Sequence, residues 1–481
     1  MGASGATGSG TGSVATGGDG GDDTSVVGDD EDDPHAATNT ADATTRTRCR
    51  IRMEQMIMVL ITFGNPNLLW PATVAGMVSA FLHPFAKPTR TDFRTIVAGQ
   101  GSTVTDSAGR EYIDAMASLW YCAVGHGRRE IADAIATQAS TLAGYSTFDP
   151  FTNDVVEELA ERLVGIGPMT DSRVFFCTSG SEAVDTAMKL ARLAHVQSGH
   201  PERTTIISRQ RGYHGTAYGG TSAQGIPPNR EGYGPLVGDV VQVPADDVEA
   251  LATAMSHHGD TMAAVLIEPV QGAGGVFPPT EGYLEAVRRL CDQHGAFLIY
   301  DEVISGFGRL GHWFAAHRFG VRPDLVTFAK AVTSGYQPLG GVFVGPAVRG
   351  PLEADPNFFL RTGFTYSGHP TACRAALVNL DIIEREGLIE RAHHVGRRLS
   401  TGLHSLAADD LVAGVRGDGA VWAVAQKPGV DPMAVRDRML DLGVITRAVG
   451  TDTNTICPPL VITDAQIDRV VDALTQAITT P

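Results

Sequence analysis

The sequence predicts an α/β protein: a mainly parallel seven-stranded sheet between helices, followed by a smaller α+β domain. Three observations predict it. Seven short apolar runs recur between residues 173 and 344, each of strand length and bounded by turn residues. Stretches with apolar residues at helical spacing separate them, the alternation that builds parallel sheets. From about Ala372 the order changes to one long helix and then strands alternating with helices, which marks a second lobe.

The chain opens on residues 1–50, almost all Gly, Ala, Thr, Ser and Asp, with nine acids against three arginines. So few large apolar side chains cannot offset the entropy of ordering, and disorder is expected. From Gln55 to Ala86 no Asp, Glu, Lys or Arg occurs, and Arg48, Arg50 and Arg52 stand just upstream. A membrane anchor is one reading of that run. Gly64, Asn65, Pro66, Asn67 and Pro71 break it into pieces shorter than a span, so no membrane attachment is expected. A start at an internal methionine such as Met77 is a third reading. Residues 1–77 are therefore set apart as a low-complexity extension, and 78–125 as a segment joining the small domain. The large domain is expected over 126–371 and the small domain over 372–481.

"STVTDSAGREYIDA" reads as a hairpin, with Val104 and Thr105, a turn at Asp106 to Gly109, then Tyr112 and Ile113. "REIADAIATQASTLA" has helical spacing, with Ile131, Ala134, Ile135 and Ala139 on one face. "TNDVVEELAERLVGI" follows, capped by Thr152 or Asn153, with Val156, Leu159, Ala160 and Leu163 inward. The seven strands are Arg173–Cys177, Thr205–Ser208, Val240–Val243, Ala263–Ile267, Phe297–Tyr300, Leu325–Ala329 and Gly341–Val344. In the last lobe, a helix runs to Glu384. Strands at "AVWAVAQ" and "GVITRAV" then alternate with helices at "MAVRDRMLDLG" and "DAQIDRVVDALTQAI".

With 481 residues and a net charge of −17, the chain is acidic overall, which argues against nucleic acid, whose phosphates need clustered Lys and Arg. The six cysteines show no CxxC or Cys/His pairing, so reduced thiols in a cytoplasmic protein are expected, not disulfides or a metal site.

Ligands of open parallel sheets sit beyond the carboxyl ends of the strands. "RVFFC" is followed by Thr178-Ser179-Gly180-Ser181-Glu182 and a helix. Free N–H groups and the positive dipole end there suit a phosphate; an ordinary capping box, Ser179 with Glu182, is the alternative. Glu268 follows "AAVLI", Asp301 follows "FLIY" and Lys330 follows "LVTFA". No acid stands within five positions of Lys330. Desolvating an unpaired ammonium is costly and lowers its pKa. An Asp beside a Lys can be a structural ion pair. Two acids and a lysine converging on a phosphate turn also suit pyridoxal phosphate (PLP). That cofactor needs a Schiff-base lysine, an acid for the pyridine nitrogen and a phosphate cradle.

Residues 78–475 resemble a class III, fold-type I PLP aminotransferase. The matching motifs, in order, are "GHGRREIADAIATQ", "TSGSEAVDTAMKLAR", "GYHGTAYG", "EPVQGAGG", "DEVISGFGRLG", "AKAVTSGYQPLGG", "FTYSGHPTACRAAL" and "CPPLVIT". The resemblance implies that Lys330 carries the cofactor and Asp301 pairs with the pyridine nitrogen. Val303 and Tyr213 would cover the two ring faces, and Gly180 and Ser181 would bind the phosphate. Glu268 would support the O3′ side of the ring. Thr365 would reach the phosphate of a neighbouring subunit's cofactor, which implies a homodimer or a dimer of dimers. His214 and Gln271 have the plainer reading of shaping their loops.

"SLWYCAVGHG" and "TSGYQPLGGV" resemble the amine:pyruvate, or ω-transaminase, branch. That branch implies Arg447 as the arginine that binds a substrate carboxylate and swings away for an uncharged group; a strand-surface arginine is the alternative. Trp120 and Phe148 resemble pocket-lining aromatics, or are plain core residues. The implied reaction moves an amino group from an amine or ω-amino acid to a keto acid, pyruvate foremost, by ping-pong kinetics. Other class III activities remain open: diaminopelargonate aminotransferase, or action on putrescine, GABA, β-alanine or taurine. So does a silent cofactor-binding homologue, against which the intact Lys330/Asp301 pair argues.

Overall fold

The computed structural model describes residues 79–480, so the expected disorder of residues 1–77 lies outside the described residues. The chain divides into two compact units, Met1–Asp92 and Phe93–Pro481. In the first, the described residues 79–92 form turns, without helix or strand.

In the second unit the strands are β1 (Ile96–Gln100), β2 (Thr103–Asp106), β3 (Glu111–Asp114), β4 (Arg173–Cys177), β5 (Thr205–Arg209), β6 (Val240–Val243), β7 (Met262–Ile267) and β8 (Phe297–Asp301). They continue with β9 (Leu325–Phe328), β10 (Gly340–Val344), β11 (Gly414–Asp418), β12 (Val421–Ala425), β13 (Val444–Ile445), β14 (Arg447–Val449) and β15 (Thr453–Ile456). The central sheet has seven strands in the order β4-β10-β9-β8-β7-β5-β6. Its pairs are parallel except at β10, which runs antiparallel to both β4 and β9. Two four-stranded sheets flank it, β1-β2-β3-β13 and β11-β12-β15-β14. In the first of these, β13 adds parallel to β3, joining chain segments from the two ends of the unit.

The apolar runs are continuous because both faces of the central sheet are covered. Alternate residues go to opposite faces. Ala264, Leu266, Ile299, Leu325 and Val342 pack with Ala183, Ala187, Leu190 and Ala191 of helix Gly180–Gln197. Val265, Ile267, Leu298, Tyr300, Val326, Phe328 and Phe343 belong to the larger core on the other face.

The hairpin and the seven strands stand where the sequence places them, with ends shifted by a residue. Asn153 is the cap of helix Asp154–Ile166, its side chain accepting Val156 N–H at 2.9 Å. Three details differ. Ala139 of helix Arg129–Leu142 faces outward, and only Ile131 of that helix is buried. A helix at Leu388–Ala408 directly follows Pro370–Arg385, the two separated by Gly387 at φ +61°. Strand β9 stops at Phe328, so Lys330 stands beyond the strand and opens a short 3-10 turn. No helix among the described residues is long and apolar enough to cross a membrane. The five described cysteines are free and buried, and burial pushes the thiols of Cys122, Cys177, Cys291 and Cys373 up to about 12.

Candidate active site

Glu268 follows β7, Asp301 ends β8 and Lys330 stands just past β9. Because these strands are neighbours and parallel, their carboxyl ends deliver all three side chains to one place. A cavity of about 120 Å³ gathers Gly180, Ser181, Tyr213, Glu268, Asp301, Val303 and Lys330, with His214, Gly215 and Ile304. A larger cavity of about 580 Å³, lined by Asp114, Tyr121, His126 and Tyr336 among others, holds no lysine and lacks the three strand-end groups.

Lys330 sits at φ +52°, in the left-handed region, which costs a non-glycine residue ~1–2 kcal/mol. The turn it opens is pinned from behind by buried Asn379, whose amide donates to Ala331 O at 2.9 Å and Val332 O at 3.0 Å. Burial holds the Lys330 amine below the usual lysine range, with Asp301 and then Glu268 partly opposing.

Asp301 is buried and meets three donors. His214 Nδ1 lies 2.9 Å from Oδ2, while Thr327 Oγ1 at 3.1 Å and Val303 N at 3.2 Å donate to Oδ1. Facing a carboxylate oxygen, Nδ1 of His214 is the donor; its Nε2 is buried without a partner among the described residues. Glu268 accepts the backbone N–H groups of Tyr213 at 2.8 Å and Gly272 at 2.9 Å. Burial raises Glu268 above the usual carboxylate range; His214 opposes this and Asp301 adds to it.

The turn before helix Gly180–Gln197 departs from the expected reciprocal box. Ser179 Oγ accepts Glu182 N–H at 3.2 Å, but Glu182 reaches past Ser179 and accepts both Thr178 N–H and its hydroxyl at 2.7 Å. The first N–H groups of a helix have no acceptor within it, so those of Gly180 and Ser181 border the cavity free to meet an anion. A Cβ at Gly180 would stand 3.0 Å from Val303 Cγ1, so only glycine lets that wall close in.

The other four expected residues do not line this cavity. Arg447, on β14, is half-buried and makes no side-chain hydrogen bond or ion pair among the described residues. It acts electrostatically on Tyr213 and Lys330, and burial lowers its own pKa. Trp120 is 3% exposed, in an apolar cluster with Val270, Cys457 and the cavity-lining Ile304. Phe148 is 53% exposed and borders a separate cavity of about 270 Å³ with Thr147, Thr152 and Phe176. Thr365 is exposed. Thr327 was not singled out from the sequence; the signal was a lone hydroxyl in the buried strand "LVTFA", beside a strand ending in Asp. Among the described residues, no group of His, Cys, Asp and Glu is placed to hold a metal ion.

The donor set fits pyridoxal phosphate. It has an amine whose charged form burial disfavours, a buried carboxylate held by three donors, a helix N-terminus with free N–H groups, and a glycine where a side chain would fill the space.

The family model for class III aminotransferases matches residues 85–478. The β-alanine–pyruvate aminotransferase of Pseudomonas aeruginosa is 36% identical over 85% of this chain and 98% of its own. The ω-amino acid–pyruvate aminotransferase of Pseudomonas putida is 34% identical over 80% and 92%. Among solved structures, a PLP-bound amine transaminase from an uncultivated Pseudomonas species matches with a TM-score of 0.79 and 35% identity, over 83% of this chain and 98% of that one. With the strand-end lysine and acids in place and the family match spanning residues 85–478, the chain belongs to the class III aminotransferases, PLP-dependent enzymes that act on small amines and keto acids.

Proposed function

We propose that the protein moves an amino group from an amine or ω-amino acid to a keto acid, pyruvate foremost, with one site serving both substrates in turn. The observation that carries this is Arg447: a half-buried cation without a partner among the described residues, close enough to bias Tyr213 and Lys330. A carboxylate of β-alanine, pyruvate or alanine would pair with its planar fork, and the activities named for the two pyruvate-using relatives support the same reading.

Bound in the cavity, PLP supplies a carbonyl that captures amines and a ring that draws electrons from the substrate's α-carbon. Lys330, whose charged form burial disfavours, would be the nucleophile toward that carbonyl and would carry a proton at Nζ. Asp301 would offer a carboxylate oxygen to the ring nitrogen. Gly180 and Ser181 would give their N–H groups to the phosphate and Val303 and Tyr213 would wall the ring, while Glu268 holds the Tyr213 and Gly272 backbones at the cavity. Trp120 shares an apolar cluster with the cavity-lining Ile304, which supports a place for it beside the substrate, whereas Phe148 borders a separate cavity.

Thr365 contributes to the phosphate site of a second subunit, in a homodimer or dimer of dimers. Its exposure, with that of Tyr145, Phe148, Phe151 and Tyr366, supports such a face. A cytoplasmic location is supported by the free, buried thiols. The test is a donor panel on holoprotein: alanine, (S)-1-phenylethylamine, putrescine or taurine bleaches the cofactor's visible band, and pyruvate restores it. Restoration by 2-oxoglutarate alone contradicts pyruvate as acceptor, and no bleaching by any amine contradicts transamination.

A further inference from the structure

Thr327 has a hydroxyl where the fold asks for none. It lies in β9, 0% exposed, and is the direct parallel partner of Asp301 in β8. Two pairs earlier along the same two strands, and so on the same face, the partners are Ile299 and Leu325, both apolar and fully buried. Valine would fill the volume of Thr327 and suit a strand equally well. The hydroxyl instead donates to Asp301 Oδ1 at 3.1 Å, its only side-chain hydrogen bond among the described residues.

An ionised carboxylate has about four acceptor directions. On Asp301, Thr327 and Val303 N–H take both on Oδ1, and His214 Nδ1–H takes one on Oδ2. One direction on Oδ2 is left, on a residue that lines the cavity. The other charged groups around it are Lys330, Glu268 and Glu302, and none of them hydrogen-bonds to Asp301.

We infer that Thr327 is a positioning residue for Asp301: with His214 it fixes the carboxylate so that a single acceptor site faces the cavity. This rests on the reading that Asp301 serves the ring nitrogen of the cofactor. Thr327 then matters only for a ligand that has that nitrogen.

The test compares PLP with its 1-deaza analogue, in which the ring nitrogen is replaced by C–H. Kd values are measured by fluorescence titration of the full chain. Wild type is expected to bind PLP at least about tenfold more tightly than the analogue. Thr327→Val, which keeps the shape and loses the donor, should weaken PLP about threefold to tenfold, the effect of losing one typical hydrogen bond. Analogue binding should stay within about twofold. Thr327→Ser, which keeps the hydroxyl, should retain the wild-type ratio. A wild-type preference that Thr327→Val leaves intact overturns the inference for Thr327 alone, as does an equal loss for both ligands or a collapsed ratio in Thr327→Ser. A wild-type protein that binds both ligands alike overturns the Asp301 reading, and the inference with it.

Discussion

Ser181 Oγ accepts the backbone N–H of Thr216 at 3.0 Å, tying the "GYHGTAYG" loop to the first turn of helix Gly180–Gln197 across the cavity. Gly215 makes that approach possible: at φ +91°, a Cβ there would stand 2.6 Å from Ser181 Oγ and 2.8 Å from its Cα. Ser181→Ala is expected to weaken PLP binding about threefold to tenfold, the worth of one such bond. Gly215→Ala should cost more, adding backbone strain of ~1–3 kcal/mol to the clash. Cofactor titration and melting curves on both variants check the order; equal effects would contradict it.

Lys330 gives the cofactor-free protein a signed pH dependence. Burial puts its folded pKa below 10.5, so between that value and 10.5 the unfolded chain holds more protons and wild-type stability rises with pH. Below that window the cost of the buried charge is present in full. Lys330→Met should therefore melt higher than wild type near neutral pH, by a few degrees, with the gain shrinking as pH climbs toward 10.5. Scanning calorimetry of the two cofactor-free proteins across that range reads it directly.

Glu302 is a second buried acid, and burial pushes it up to about 7. Its oxygens accept Ala316 N–H at 2.9 Å, the Ser305 hydroxyl at 3.1 Å and Ala315 N–H, which anchors the start of helix Ala315–Phe319. An acid whose folded pKa is raised stabilises fully below its unfolded value of 4.5, and that contribution is lost as pH rises through about 7. Glu302→Gln should flatten the fall in stability over this interval. Urea unfolding at several pH values measures the slope, and an unchanged slope would remove Glu302 as its source.

Phe277 is held between two cations, with the Arg211 guanidinium 4.0 Å and that of Arg416 4.1 Å from its ring centroid. Arg416 also donates to Gly275 O and Thr453 Oγ1, both at 2.8 Å, tying β11 to the loop that begins at Glu268. Phe277→Leu is expected to destabilise the protein by about 1–3 kcal/mol, and Phe277→Tyr to be close to neutral. Chemical denaturation distinguishes them.

The central sheet was legible because strands covered on both faces leave unbroken apolar runs, and the acid, acid and amine stood immediately after three of them. Less legible was anything set by pairing between distant segments. The strand read at "GVITRAV" is divided at Thr446 into β13, which pairs with β3 more than 300 positions earlier, and β14, which pairs with β15 in another sheet. Strands β11 and β15 carry Gly, Arg, Asp, Thr and Asn within four or five residues, too little apolar pattern to stand out. In the site, Lys330, Asp301 and Glu268 could be read locally, whereas Thr327 gains meaning only once β8 and β9 are placed in register. Trp120, Phe148 and Thr365 came from the resemblance alone, and none of the three lines the cavity.

The central claim is that Lys330 carries the cofactor. Borohydride reduction of PLP-loaded protein, followed by peptide mass spectrometry, tests it most directly. A phosphopyridoxyl group on the peptide containing Lys330, absent from Lys330→Ala, is the expected result. The group on Lys189 or any other lysine, or no covalent group at all, would contradict it.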